Sequence, residues 1–269
     1  MKASVYTSLF NYSPEKFDLL GAFKNWSKYA DEIVIATFED QKEEIEKVVF
    51  FEKICLWAAD SKYSFDLKVV SCPDTSLDDP LFDGKLKNSA LQACSNELVI
   101  QQDLDERISG NIEYWEQISQ MLLDYNFPVT CSIPVIDLYR DYSHYKSVGS
   151  KFYFHKKTGI RRGVVNYAKK GDHINVNLSD TCEPLIEGGH LAPYFADHRF
   201  RENLNIKFPA IVHLGYLDLK KRVENNKFWR GVWSSRAGEN IEVATTLEKL
   251  EEENKAIPHG LKEKWWILE

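Results

Sequence analysis

Glu97-Leu98-Val99-Ile100-Gln101-Gln102-Asp103-Leu104-Asp105-Glu106-Arg107 is the stretch that decides how this chain is read. Leu98-Val99-Ile100 is an unbroken apolar run of the kind that fills a strand covered on both faces. It passes directly into acidic residues, which sets carboxylates at the carboxyl end of a buried strand. Open α/β sheets bind their ligands at that edge. Two carboxylates at i and i+2, Asp103 and Asp105, can share a hard divalent cation, and the cation can carry a diphosphate. Asp-x-Asp also arises by chance in solvated acidic turns, so its weight comes from the segments around it.

Upstream, strand and helix patterns alternate. Ala3 to Phe10 is a short apolar strand. Ser13-Pro14-Glu15 predicts a helix start, with Ser13 as N-cap and Pro14 at the first helical position, and with Phe17, Leu20, Phe23 and Trp26 as its apolar face. Glu32 to Thr37 is a second strand leading into Glu39-Asp40. Ile45, Val48, Val49, Cys55, Leu56 and Ala59 recur at helical spacing across 41–60. Leu67 to Val70 is a third strand, a polar loop follows at 74–83, Lys85 to Ser95 is a helix, and 97–102 is the fourth strand. Repeated strand–helix–strand units with short links predict an α/β fold with a mostly parallel central sheet, flanked by helices.

Downstream, Ile112, Trp115, Ile118 and Leu122 mark another amphipathic helix. Strand-like runs follow at Pro128 to Leu138, Lys151 to His155 and Ile211 to Leu214. Residues 156–205, rich in Gly, Asn, Asp and His, read as loops long enough to carry function. Residues 242–255 read as a charged helix, and Lys264-Trp265-Trp266-Ile267-Leu268 as a docking tail. No linker divides the chain, so a single domain over 1–269 is expected.

The 269 residues allow a sizeable core, and a net charge of -7 gives no general attraction to nucleic acid. Five cysteines, an odd number with no C-x-x-C spacing, suit a reduced cytoplasmic protein without structural disulfides. The first residues enter a strand at once, leaving no room for a signal peptide, and no apolar run approaches the ~18 residues of a membrane span. Seven Trp, 13 Tyr and 15 Phe are plentiful, and most of them are expected simply to fill the core. Tyr139, Tyr142, Tyr145, Trp229 and Trp233, in the second half, are the aromatics available to stack on a ring-shaped ligand should a cleft form there.

Taken in order, these segments resemble a GT-A glycosyltransferase of the family 2 type, a nucleotide-sugar enzyme on a Rossmann-like sheet. The matching pieces are Tyr29-Ala30-Asp31-Glu32-Ile33-Val34-Ile35, Gly84 to Cys94 with Lys87-Asn88, the strand ending in Asp103-Leu104-Asp105, and Ile211-Val212-His213-Leu214-Gly215-Tyr216. The resemblance covers about residues 1–230. It implies a nucleotide-sugar-binding half at 1–110, a loop-rich acceptor-binding half at 111–235, and a C-terminal helix and tail at 236–269. It also implies Mn²⁺ or Mg²⁺ as cofactor, a UDP- or GDP-sugar as donor, and a glycan, glycolipid or glycoprotein as acceptor. Thr37-Phe38-Glu39-Asp40 stands where many members carry Asp-x-x-Ser-x-Asp, which leaves the nucleoside-facing acid to Glu39 or Asp40.

On this resemblance Asp105 is the direct metal ligand, Asp103 reaches the ribose or a metal-bound water, and His213 completes the shell. Lys85, Lys87 and Asn88 offer donors to a pyrophosphate or base, and Thr7 and Ser8 close the first strand where a base would lie. An inverting transferase needs a carboxylate base at the acceptor hydroxyl. Glu183 and Asp180, in Asp180-Thr181-Cys182-Glu183-Pro184, are the candidates, with Asp197 as an alternative. Arg161, Arg162 and His155 offer positive charge nearby. Two other classes use the same diacid: a metal-dependent nucleotidyltransferase or phosphohydrolase, and a non-catalytic nucleotide- or glycan-binding module. The first favours a Gly- or Lys-rich phosphate loop after the first strand, which Ser8-Leu9-Phe10-Asn11-Tyr12-Ser13-Pro14 does not supply. The second is consistent with the lack of a clean base signature.

Overall fold

A computed structural model describes residues 2–13, 17–79, 81–124, 129–156, 160–164, 184–186, 189–191, 210–237, 240, 242–253 and 259–260. The strands are β1 (Ala3–Ser8), β2 (Glu32–Phe38), β3 (Asp66–Cys72), β4 (Leu98–Gln101), β5 (Glu106–Ser109), β6 (Val129–Tyr139), β7 (Asp141–Lys156), β8 (Ile160–Val164), β9 (Pro184–Ile186), β10 (Gly189–Leu191), β11 (Ala210–Tyr216) and β12 (His259–Gly260). The helices are α1 (Leu19–Trp26), α2 (Lys42–Ala59), α3 (Phe82–Ala93), α4 (Ile112–Asp124), α5 (Leu219–Ala237) and α6 (Leu247–Glu253).

The chain adopts an α/β fold built on a four-strand parallel block, β3-β2-β1-β4. β2 and β4 are buried along their whole length, as strands covered on both faces must be. Successive residues serve opposite faces. Val5, Ile33 and Ile35 pack with Leu19, Phe23 and Trp26 of α1, Ile45 and Val49 of α2, and Trp115 of α4. Tyr6, Val34 and Ala36 pack on the other side with Phe82, Leu86 and Ala90 of α3. Beyond β4 the sheet continues through β7, β6, β11 and β5. There the pairing is mixed: β4–β7, β7–β6 and β11–β5 are antiparallel, and β6–β11 is parallel.

Several boundaries differ from the sequence expectation. α1 starts at Leu19 because the Asp18 carboxylate accepts the Gly21 N–H at 2.9 Å and takes the N-cap role expected of Ser13; Pro14 lies outside the described residues. α3 starts at Phe82 rather than Lys85, after a turn in which Asp79 accepts the Leu81 N–H at 2.9 Å. The late charged helix starts at Leu247 rather than Glu242, with the Thr246 hydroxyl accepting the Lys249 N–H at 3.2 Å. Within 156–205, read as loops, β8, β9 and β10 are strands. β5, the first half of β7 and the 19-residue α5 were not expected. Among the described residues, Cys55, Cys72 and Cys94 are thiols. Among the described residues no helix is long and apolar enough to cross a membrane.

Candidate active site

In the parallel block the chain steps outward from β1 to β2 and β3, then returns to the other side of β1 as β4. The carboxyl ends of β1 and β4 therefore flank a topological switch point, where the two crossovers diverge and leave a crevice. Ser8 closes β1 and Asp103 follows β4. α3 spans the gap between them. Ser8 Oγ donates to Asp83 Oδ1 at 2.9 Å, Asp83 Oδ2 lies 3.3 Å from Lys87 Nζ, and Lys87 Nζ lies 2.9 Å from Asp103 Oδ1. Lys87 is buried, whereas Asp103 is about one-third exposed (36 %). Asp103 thus ends a polar relay from β1 through α3, with its carboxylate paired to Lys87.

The turn after Asp103 is pinned from both sides. Asp103 N–H donates to Glu106 Oε2 at 3.0 Å, and Glu106 N–H donates to the Asp103 carbonyl at 2.9 Å. The buried Arg107 guanidinium donates to the Leu104 and Glu106 carbonyls at 2.8 and 2.9 Å. Leu214 N–H donates to the Asp105 carbonyl at 2.7 Å, docking β11 on the turn.

That docking brings His213 to Asp105, with Nε2 3.1 Å from Oδ2, while Nδ1 lies 2.7 Å from Asp137 Oδ1 on β6. Burial works against the charge on Asp105, but the His213 ring, reinforced by Arg222, holds the carboxyl well below the usual carboxylate range. Burial likewise works against the imidazolium, but Asp105 and Asp137 outweigh it and raise His213 well above its ordinary value. Positive charge is therefore favoured between the two carboxylates. Arg222 lies over the Tyr216 ring at 4.4 Å and donates to its hydroxyl at 3.2 Å.

The donor chemistry of the Asp105–His213 pair suits a small divalent cation. Gly215 faces the pair without a side chain, and a Cβ there would stand 2.5 Å from His213 Nε2 and 2.9 Å from Asp105 Oδ2. One carboxylate and one imidazole form a donor set that suits Mn²⁺. Among the described residues no three His, Cys, Asp or Glu side chains are arranged so that all could ligate one metal ion. Two protein donors leave further positions to phosphate oxygens and water, which is how octahedral cations are commonly held on a diphosphate.

The other expected site residues are placed as follows. Thr7 is buried at the end of β1, where its hydroxyl donates to the Ser8 carbonyl at 3.4 Å. Glu39 is exposed and opens a 3₁₀ turn after β2. Lys85 pairs with Asp79 at 2.6 Å, and Asn88 is half-buried on α3. Glu183, Asp180 and Asp197 lie outside the described residues. Trp229 is half-buried and stacks on Phe82 at 5.8 Å, against the core on the α3 side. Tyr139 is buried among α5 and α6 residues, whereas Tyr142 is half exposed (50 %). Asp137 and Gly215 had no assigned role at the sequence level; Gly215 was quoted only as part of a motif, and Asp137 sits inside an apolar strand run.

No family model and no curated protein matches the chain. Among solved structures, S. aureus TarS 1-349, determined alone and in complex with UDP, is 21 % identical over 50 % of this chain and 36 % of that one, with a TM-score of 0.31. A UDP-glucose pyrophosphorylase complexed with UDP-glucose is 8 % identical over 58 % of this chain and 76 % of that one, with a TM-score of 0.34. The overlap thus spans about a third of the TarS structure. Likenesses this partial carry no argument about activity, which has to come from the site.

Proposed function

We propose that the chain is a metal-dependent, inverting glycosyltransferase that moves a sugar from a nucleotide-sugar donor, UDP- or GDP-linked, to a hydroxyl of a glycan, glycolipid or glycoprotein acceptor. The observation that carries this reading is the meeting of Asp105 and His213 around the space left by Gly215, beside the switch point of a parallel sheet. Asp105 and His213 would hold Mn²⁺ or Mg²⁺, which when bound neutralises the charge that builds on the departing diphosphate. Ser8 and the Asp83–Lys87–Asp103 relay line the crevice where a nucleoside would lie, with Asp103 offering a carboxylate to ribose hydroxyls. Lys87, held between two carboxylates, serves chiefly to orient Asp103. Residues 1–110 form the donor half in this reading, and 111–235 the acceptor half. Glu183 or Asp180 would take the proton from the acceptor hydroxyl on the face opposite the leaving group.

The test is a transfer assay with UDP- and GDP-sugars against a panel of glycan acceptors, following release of the nucleoside diphosphate. Asp105→Ala is expected to abolish release while the protein stays folded. Undiminished transfer by folded Asp105→Ala protein would remove the metal assignment. Release of pyrophosphate instead of a nucleoside diphosphate would turn the reading to a nucleotidyltransferase.

A further inference from the structure

His213 is held from behind as well as from the front, and the group behind it belongs to no motif. We propose that Asp137 is a positioning residue that sets the tautomer and orientation of His213, so that Nε2 presents its lone pair to a divalent cation beside Asp105. The inference rests on the metal-dependent reading above. Two features carry it. β11 and β6 run parallel with His213 and Asp137 in register, which puts the two side chains on one face as immediate cross-strand neighbours. The neighbours are also in contact, with Nδ1 2.7 Å from Asp137 Oδ1.

An ionised carboxylate only accepts hydrogen bonds, so Nδ1 must carry a proton to bond it. Without a cation, Nε2 likewise carries a proton toward Asp105 Oδ2, 3.1 Å away; a bound cation would displace that proton while Nδ1 keeps its own, which leaves the Nε2 lone pair to the metal. Both side chains are largely shielded, with His213 16 % and Asp137 24 % exposed, so water competes weakly for the bond. A carboxylate behind a metal-bound imidazole fixes the ring and raises its basicity, and loss of such a group typically weakens metal binding about 10- to 100-fold.

The experiment is a Mn²⁺ titration of the unaltered protein, Asp137→Ala and Asp137→Asn, each checked by thermal melting without metal. Asp137→Ala is expected to bind Mn²⁺ about 10- to 100-fold more weakly. Asp137→Asn, whose amide oxygen accepts the same Nδ1–H bond, is expected to recover most of that loss. A merely structural role would lower the melting temperature and leave the affinity of the folded protein unchanged, and that result overturns the proposal. A second readout needs no variant. ¹⁵N NMR of the His213 ring in the unaltered protein with Mg²⁺ is expected to show a protonated Nδ1 and a bare Nε2. A bare Nδ1 overturns the proposal even where Asp137→Ala fails to fold. Failure of the metal reading looks different: the unaltered protein then binds no Mn²⁺, and both statements fall together.

Discussion

On the proposed metal reading, a single methyl group at position 215 would crowd the pair that holds the cation, Asp105 and His213. An alanine Cβ would meet Nε2 at 2.5 Å and Asp105 Oδ2 at 2.9 Å, distances that real Cβ contacts do not adopt, so the ring or the carboxylate must turn away. Gly215→Ala is therefore expected to weaken Mn²⁺ binding by about tenfold or more, as loss of a positioned ligand does. Overpacking of this kind costs about 1–3 kcal/mol, so the fold should survive it. A metal titration alongside a thermal melt separates the two effects, and unchanged Mn²⁺ affinity in folded Gly215→Ala protein would remove the cradle from the account. Asp103, Asp105 and His213 stand out in the sequence because each sits in a short motif with an apolar run before it. Asp137 does not, since Ile136-Asp137-Leu138 reads as one polar residue in a strand and its role exists only through its register with a residue 76 positions away. The contact of Trp229 with Phe82 is likewise invisible in the sequence, since it joins residues far apart along the chain.

At the scale of elements, the strand that carries the site is held by a helix. β5 pairs with β11 along one edge. On its other side, Asn25 of α1 stands in for a strand. Its Oδ1 accepts the Ile108 N–H at 2.7 Å and its Nδ2 donates to the Ile108 carbonyl at 2.9 Å. Trp26 Nε1 donates to the Glu106 carbonyl at 3.3 Å, and Arg107 reaches the Asp18 carboxylate at 3.0 Å. Asn25→Ala leaves a buried donor and acceptor of β5 without partners, which costs about 1–3 kcal/mol for each unsatisfied group. Denaturant unfolding is expected to show a loss in that range, and a variant as stable as the unaltered protein would mean that β11 alone fixes β5. Neither β5 nor the start of β7 was legible. Tyr139 and Asp141 pair directly across Arg140, whose φ of 64° reverses the chain without the Gly, Pro or Asn that usually marks such a turn. α5 was missed because its sequence, Leu219-Lys220-Lys221-Arg222-Val223-Glu224-Asn225-Asn226-Lys227-Phe228-Trp229, places few apolar residues at helical spacing.

Across the whole molecule, the parallel block was readable because each strand and the helix that follows it are contiguous in sequence, and apolar runs and periodicities are local signals. The second half of the sheet depends on strands that pair across long stretches of chain, as β5 does with β11 and β11 with β6, and no local pattern specifies such partners. The site lies where these two halves join. The β4–β5 turn supplies Asp103 and Asp105, α3 supplies Lys87, and β11 and β6 supply His213 and Asp137. A cation with its diphosphate bound at that junction would tie the halves together, so binding should register as global stability. The most direct measurement is thermal unfolding with UDP or GDP, in Mn²⁺ and in EDTA, for the unaltered protein and Asp105→Asn. A ligand at ~100 times its dissociation constant stabilises a fold by ~2.7 kcal/mol, or roughly 5–10 °C for a protein of this size. The account predicts a rise of that order with one nucleoside diphosphate in Mn²⁺, lost in EDTA and lost in Asp105→Asn. No shift with either nucleotide, or a shift that persists in both EDTA and Asp105→Asn, would contradict it.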